Sequence, residues 1–502
     1  MDVHHEVERT YQPGPDEPVP DLTRLPTVAS VGAPHSVELT ATYFDSPGFP
    51  LTRAGVSLRR RVGGADEGWH LKIPSGAGRD EMHLPLGRSQ RTVPVALRRV
   101  VLAWTRNADL APIATVVTHR TAYDLLDVDG GRLAELADDR VSATAEGAPQ
   151  PLEWREWELE LDAGDPALLK AADKLLRKAG VPLSESPRKI VRALGDRLPP
   201  PVDLGPIGPD RPAGRVLQLR ITEQVAELLR RDSEVRRGLP SGVHQARVVC
   251  RRLRSALATY RPLLDREVTD PIRVELQWLQ EALGEARDAH VVHQRLGTLV
   301  DDDRHVVGPV RRRLDRTYEA KARDAQAVVT EVLASERYLR LLDDLDTLAA
   351  APPWTDQAQQ DATTVLRPLV RKDWKRLVAR VDALEAAGDD RDARDHALHE
   401  VRKGAKRLRY AVETVQPVWG RKTKRLRRFA KTVTQVLGEH QDTVVSRADL
   451  LAVAAEAAAA GEDAFTYGRL HHGDEVLADE LRERFARAWS DASPEKLTAW
   501  LR

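Results

Sequence analysis

At 502 residues the chain exceeds what one hydrophobic core organises, and an apolar share of 41% is enough to bury roughly two to four domains. Its 77 basic and 77 acidic side chains cancel, which excludes a uniformly basic or acidic binder and leaves partner recognition to local patches. A single cysteine, Cys250, excludes an internal disulfide framework and fits the cytoplasm; the polar start does not read as a signal peptide, and no stretch reaches the roughly 18 apolar residues that mark a membrane span.

The chain begins with "HHEVERTYQP" (4–13), in which Glu6 and Glu8 stand two apart. On a strand Glu6, Glu8 and Thr10 share one face and Val7, Arg9 and Tyr11 the other. Two carboxylates side by side repel unless a cation lies between them. A solvated polar edge is the plain alternative for this fragment alone.

Further period-two segments follow: "VELTATYF", "VSLRRRV", "GWHLKIP", "ATVVTHRTAYDLL" and "WREWELELD", separated by Gly, Pro and Asp. Arg59 and Arg61 share a face; His70 and Lys72 oppose Trp69, Leu71 and Ile73; Glu156, Glu158 and Glu160 oppose Trp157, Leu159 and Leu161. The polar faces carry both signs while the other faces are bulky and apolar. If such a sheet closes with its apolar face outward against helices, the charges line a tunnel, with Trp69, Trp154 and Trp157 as outer-face packing. The segments "PALLKAADKLLRKAG" and "PRKIVRAL" read as helices able to supply that packing.

Residues 198–214 are dense in Pro and Gly and form a linker. Beyond it the pattern changes to long amphipathic helices. Cys250 lies among them and reads as an inert core thiol.

Within this helical part "VHQARVVCRRLRSALATY" (243–260) is answered by "LHEVRKGAKRLRYAVETV" (398–415), so that His244, Arg247, Arg251 and Arg254 recur as His399, Arg402, Lys406 and Arg409. Asp288 and Asp442 also occupy matching places, which an internal duplication explains. The spacing i, i+3, i+7, i+10 puts each quartet on one stripe of about 15 Å. No acid is expected on either stripe. A third row, Arg421, Lys424, Arg428 and Lys431, keeps the same register and has no basic counterpart in the first repeat. Such rows suit a repeating polyanion. Aromatic residues make up only 5% of the chain and none interleaves with the stripes, so nucleic acid lacks its stacking platforms and bare phosphates fit better.

Taken in order, "EVERT", "YFDSPGFPLTRAGVSLRRR", "GWHLKIP", "LAELADDRV", "WELEL" and "RKIVRAL" resemble a CYTH domain of the triphosphate tunnel metalloenzyme superfamily over residues 1–197. The paired "HxxR...RLR" helices of residues 215–502 resemble a CHAD domain, with repeats at about 215–350 and 351–502. The first resemblance implies an α+β domain built on an antiparallel eight-stranded β-tunnel flanked by helices, which hydrolyses or cyclises triphosphates with Mg²⁺ or Mn²⁺. By motif, Glu6, Glu8, Glu135, Glu158 and Glu160 match metal ligands, and Glu6, Glu8, Arg59, Arg61, Lys72, Arg120 and Lys189 the catalytic set, with Arg79 as a further cation. The family's opening motif normally runs Glu-x-Glu-x-Lys, whereas this chain has Thr10 in the last place.

The second resemblance implies an all-α domain of tandem helical bundles, related by pseudo-two-fold symmetry, that binds inorganic polyphosphate through the two quartets. The expected activity is metal-dependent hydrolysis of inorganic triphosphate, in the cytoplasm and at polyphosphate granules. A non-catalytic polyphosphate-binding scaffold, an organic triphosphate hydrolase and an adenylate cyclase stay open as alternatives.

Overall fold

The computed structural model describes residues 2–87, 91–186, 188–385, 388 and 390–502. The chain divides into two compact units, Met1–Pro201 and Val202–Arg502.

Unit one is built on ten strands: β1 (Asp2–Glu6), β2 (Glu8–Tyr11), β3 (Ser30–Val31), β4 (His35–Asp45), β5 (Ser57–Val62), β6 (Gly68–Ser75), β7 (Gly78–Leu84), β8 (Ala111–Leu126), β9 (Arg132–Ala145) and β10 (Leu152–Leu161). Their order is β1-β7-β6-β5-β4-β8-β9-β10-β2, with the two-residue β3 beside β8. Every pairing is antiparallel among the described residues. Because β1 and β2 are one strand interrupted at Val7, the chain's first segment joins both edges of the sheet: Glu6 pairs with Arg79 on β7, and Glu8 with Glu160 on β10. This near-closure makes a tunnel with eight main walls. The remaining edge of β2 is covered by Pro182–Ser184, through Gln12 N to Pro182 O at 2.9 Å and Ser184 N to Thr10 O at 2.9 Å.

The two faces differ as period-two alternation requires. On the outside Trp157, Leu159, Leu161 and Tyr11 pack against Leu168, Leu169, Ala172 and Leu176 of the helix Pro166–Lys178. That helix starts where Asp165 accepts from Ala167 N at 2.7 Å and Pro166 presets the first turn. Each of its buried leucines contributes about 2 kcal/mol. Trp69 is also fully buried and packs on Phe44, ring centroids 5.0 Å apart.

Trp154 departs from the outer-face expectation. It shares parity with Glu156, Glu158 and Glu160, and it packs with the inward residues Tyr43, Ala114 and Val141 and with Ile190 and Leu194 of the helix Lys189–Leu194. This short helix therefore plugs one end of the barrel with apolar side chains, and its first residue, Lys189, is left at the boundary with the charged interior.

The period-two reading did not include β7, the full length of β9 or the helix Val95–Thr105.

Unit two is helical. The helices Ala213–Arg236 and Gly242–Thr259 have counterparts in Ala362–Glu385 and Arg391–Trp419, and each pair packs side by side. The two stripe-bearing helices also pack on one another: Tyr260 Oη donates to Ala411 O at 2.7 Å and Arg407 Nη2 to Ala258 O at 3.1 Å. Among the described residues, no helix is long and apolar enough to cross a membrane.

Candidate active site and polyanion groove

The interior of the barrel encloses about 540 Å³, and Glu6, Glu8, Arg59, Arg61, Lys72, Arg79, Arg120, Glu135, Glu158, Glu160 and Lys189 all line it. Strand alternation and the closed register thus bring residues spread from 6 to 189 onto one surface. Acids come from β1, β2, β9 and β10, and most cations from β5, β6 and β8. The two signs are nonetheless engaged with each other. Lys72 Nζ donates to Glu6 at 2.6 and 2.7 Å, Arg79 pairs with Glu8 at 3.2 Å, and Arg120 donates to Glu158 at 2.6 Å and to Asp139 at 2.7 and 2.8 Å.

Lys189 is enclosed by three carboxylates: Glu156 and Glu158 at 2.6 Å each and Asp139 at 3.0 Å. The three acids have ligand atoms within 4.8 Å of one another, a spacing that would suit a metal ion, yet the Lys189 ammonium stands among them. Asp139 and Glu156 are fully buried. Burial resists the Lys189 charge, but the three acids outweigh it and hold its pKa well above the usual lysine value. Glu156 also accepts from Trp154 Nε1 at 2.6 Å, which ties the plug to the cage.

In the wall formed by Glu6, Glu8 and Glu160, Lys72 and Arg79 offset two of the three acids. Burial, with a hydrogen bond to Glu81, pushes the Glu6 carboxyl up to about 8, and burial together with Glu8, Glu158 and Glu81 pushes Glu160 up against the pull of Lys72. Among the described residues Glu160 has no ion pair within 4 Å. Carboxylate oxygens suit a hard divalent cation, but among the described residues Glu6, Glu8 and Glu160 do not converge within 4.8 Å of one another as Asp139, Glu156 and Glu158 do. Glu135 lies beside this wall and reaches Arg132 at 3.2 Å.

On the cationic side Arg61 pairs with Asp66, and burial with the neighbouring Arg59 and Arg120 draws its pKa down to about 9. Arg59 reaches Tyr43 Oη at 3.5 Å and Glu81 at 3.9 Å. An anion placed between these guanidinium groups relieves their mutual repulsion. Thr10 is buried on β2 opposite Glu158.

Sequence reasoning missed Glu81, Asp139 and Arg188, and it put Glu156 on the tunnel face without giving it a role. Asp139 lies within "LAELADDRV", where parity with Glu135 could have found it. Glu81 sits in "GRDEMHL", where three consecutive charges hide the strand.

In unit two the stripes of the repeat converge. Arg251 lies near enough to Arg402 and Lys406 to depress both, and burial followed by Arg402, Arg251 and Arg409 brings the Lys406 ammonium down to about 6. Gly284 and Gly438 take equivalent places. Arg247 Nη1 donates to Gly284 O at 3.2 Å, and Arg402 Nη2 lies 3.5 Å from where a side chain at Gly438 would begin.

Acids from outside the two quartets nonetheless reach their cations. Asp288 takes Arg247 at 2.8 Å, Asp442 offsets the Arg402 environment, and Glu413 approaches Arg409 at 3.6 Å. Arg254 donates to Gln277 at 2.7 Å and to Gln280 at 3.2 Å.

Arg421, Lys424, Arg428 and Lys431 are exposed and form no ion pairs among the described residues. Lys424, Arg428 and Lys431 lie at helical spacing from Gly438 and Asp442, so their row continues the stripe that faces Arg402. His399 is half-buried, hydrogen-bonded to Gln441 and held below the usual histidine pKa by burial; His244 begins the equivalent stripe. Cys250 is fully buried, and its thiol is pushed up to about 12 by that burial.

A family model described as CYTH domain matches residues 4–194, and one described as CHAD domain matches residues 219–451. The chain is similar to an uncharacterized protein of Mycobacterium tuberculosis, Rv2226, with 36% identity over 507 residues, 97% of this chain and 96% of that one. Among solved structures, PptA from Streptomyces chartreusis is 25% identical, with a TM-score of 0.47 over 56% of this chain and 100% of its own. The CHAD domain from the plant Ricinus communis is 21% identical, with a TM-score of 0.42 over 60% of this chain and 96% of its own.

Proposed function

The chain belongs to the family that joins a CYTH domain to a CHAD domain, and from that premise we propose that its tunnel hydrolyses inorganic triphosphate while its helical half binds inorganic polyphosphate. The observation that carries the first part is a single cavity lined by both an under-neutralised acidic wall and a group of arginines that repel one another.

Glu6, Glu8 and Glu160 are the residues that would hold Mg²⁺ or Mn²⁺, with Glu158 and Glu135 beside them. When bound, such an ion neutralises phosphoryl oxygens and makes water a better nucleophile at neutral pH. Arg59, Arg61 and Arg120 bind and orient the phosphate chain by charge-assisted hydrogen bonds. Lys72 and Lys189 add fixed positive charge where negative charge builds up on the departing phosphate. The plug keeps one end dry, which strengthens all of these interactions.

For the helical half the support is the convergence of Arg247, Arg251, Arg254, Arg402, Lys406 and Arg409, extended by the row 421–431. His244 and His399 sit at the head of each stripe. The association this implies is with polyphosphate in the cytoplasm.

The test is phosphate release by purified protein from tripolyphosphate, ATP and thiamine triphosphate, with Mg²⁺ or Mn²⁺ titrated. The reading expects tripolyphosphate to be preferred and Glu6→Ala and Glu8→Ala to abolish turnover. Release unchanged in those variants, or absent from the wild type, sinks the catalytic reading and leaves a binding scaffold.

A further inference from the structure

With Thr10 where the opening pattern carries lysine, the tunnel has lost one cation, and its remaining cations differ in whether their charge is already spent. Lys72, Arg79, Arg120 and Lys189 each reach a carboxylate within 3.2 Å. Arg61 pairs with Asp66, Arg132 reaches Glu135 at 3.2 Å and Arg59 reaches Glu81 at 3.9 Å. Arg188 also lines the cavity, and among the described residues it forms no ion pair.

What Arg188 does touch is backbone. Its Nη1 donates to Thr52 O at 2.8 Å. That carbonyl belongs to a turn locked from inside: the buried Asp45 accepts from Ser46 N at 2.8 Å, Leu51 N at 3.2 Å, and Thr52 N and Oγ1 at 2.9 Å each. Gly48 and Phe49 complete the turn with φ of 82° and 57°. The segment "FDSPGFPLT" thus builds a rigid anchor for one edge of the Arg188 guanidinium, leaving its other donors to the cavity. Arg188 and Lys189 are adjacent at the start of the plug helix but answer to opposite environments, one a carbonyl and the other three carboxylates. A half-buried guanidinium anchored on one edge and uncompensated in charge is a ready phosphate fork.

We propose that Arg188 is a substrate-binding residue of the tunnel, which contacts the phosphate group nearest the plugged end. The assignment rests on reading the tunnel as a triphosphate site. Burial and the neighbouring Arg79 already hold Arg188 below the usual arginine pKa, and a bound phosphate relieves both.

The experiment is calorimetric binding of tripolyphosphate and of pyrophosphate to the full chain without added metal, followed by steady-state kinetics with Mn²⁺. Arg188→Ala is expected to weaken tripolyphosphate binding about tenfold and pyrophosphate binding less than about threefold, because the shorter anion need not reach the plug. Arg188→Lys, which keeps the charge but loses the fork, is expected to weaken tripolyphosphate binding less than Arg188→Ala does. In the kinetics KM rises about tenfold in Arg188→Ala while kcat changes less than about threefold. Should Arg188→Ala melt well below wild type, Arg188→Gln, which keeps a donor toward Thr52, is read in its place.

Equal tripolyphosphate affinity in wild type and a folded variant overturns the proposal, as does a wild type that binds no tripolyphosphate. Binding that depends on Arg188 in a protein with no turnover overturns the hydrolase reading alone.

Discussion

Lys72 Nζ donates to both carboxylate oxygens of Glu6, at 2.6 and 2.7 Å, so a cation assigned to phosphate and an acid assigned to metal hold each other. An anion that draws Lys72 away frees Glu6, and a metal ion that draws Glu6 away frees Lys72. Metal and tripolyphosphate are therefore expected to strengthen each other's binding by about tenfold or more, with the same factor in both directions. Titrating Mn²⁺ with and without tripolyphosphate at low temperature measures the factor, and Lys72→Met should reduce it to near unity.

Thr10→Lys tests the departure from the family pattern. Glu158, directly across from Thr10, is already neutralised by Lys189 and Arg120 at 2.6 Å each, so a new lysine finds no unpaired acid opposite it. The expected kcat is within about threefold of wild type, and the expected stability is lower by about 1–3 kcal/mol from overpacking a buried site. A large gain in turnover would show that position 10 still limits the site.

The Lys189 cage gives a stability prediction. Lys189→Met leaves Asp139, Glu156 and Glu158 facing one another in the interior with Arg120 as remaining compensation, and removing one partner of a buried pair costs about 3–5 kcal/mol. Adding Glu156→Gln to Lys189→Met should recover part of that loss. Urea melts of the four proteins of this cycle provide the check.

In the helical half the sign of the pH dependence follows from Lys406. Its pKa in the fold, about 6, lies below the unfolded value, so between pH 6 and about 10 the unfolded chain binds the extra proton. Lys406 thus costs stability as pH falls toward 6, and Lys406→Met should stabilise the protein more at pH 6 than at pH 9. A bound polyanion favours the charged form, so polyphosphate binding should take up a proton above pH 6 and weaken by up to about tenfold per pH unit. Calorimetry in buffers of different ionisation heat reports the proton directly. An affinity flat from pH 6 to 8 would remove Lys406 from the site.

Neutralising Lys424, Arg428 and Lys431 together should flatten the salt dependence of polyphosphate binding by about two units of log–log slope, as expected for roughly three lost phosphate contacts. Equal slopes in the triple variant and wild type would return this row to solvent.

Much of the tunnel could be read from alternation because β5, β6 and β10 each oppose charges to Trp, Leu or Ile. Arg61, Lys72 and Glu160 are therefore legible as inward residues from the sequence alone. β7 was not, since "GRDEMHL" offers only Met82 and Leu84 as apolar markers. Trp154 misled by chemistry over parity: an indole suggests packing, and it does pack, but on the plug inside the barrel. Arg188 was overshadowed by its neighbour, because sequence alone does not tell which of two adjacent cations meets three acids and which meets a carbonyl. The repeat showed its cations plainly, whereas Asp288 and Glu413 reach them from one helix away or one turn along, where stripe counting does not look.

The plug formed by Ile190, Leu194 and Trp154 has a kinetic meaning beyond packing. If the tunnel acts on triphosphates as proposed, a base filled in this way leaves product and substrate to share the open end, and a long polymer would be trimmed from its tip rather than threaded through.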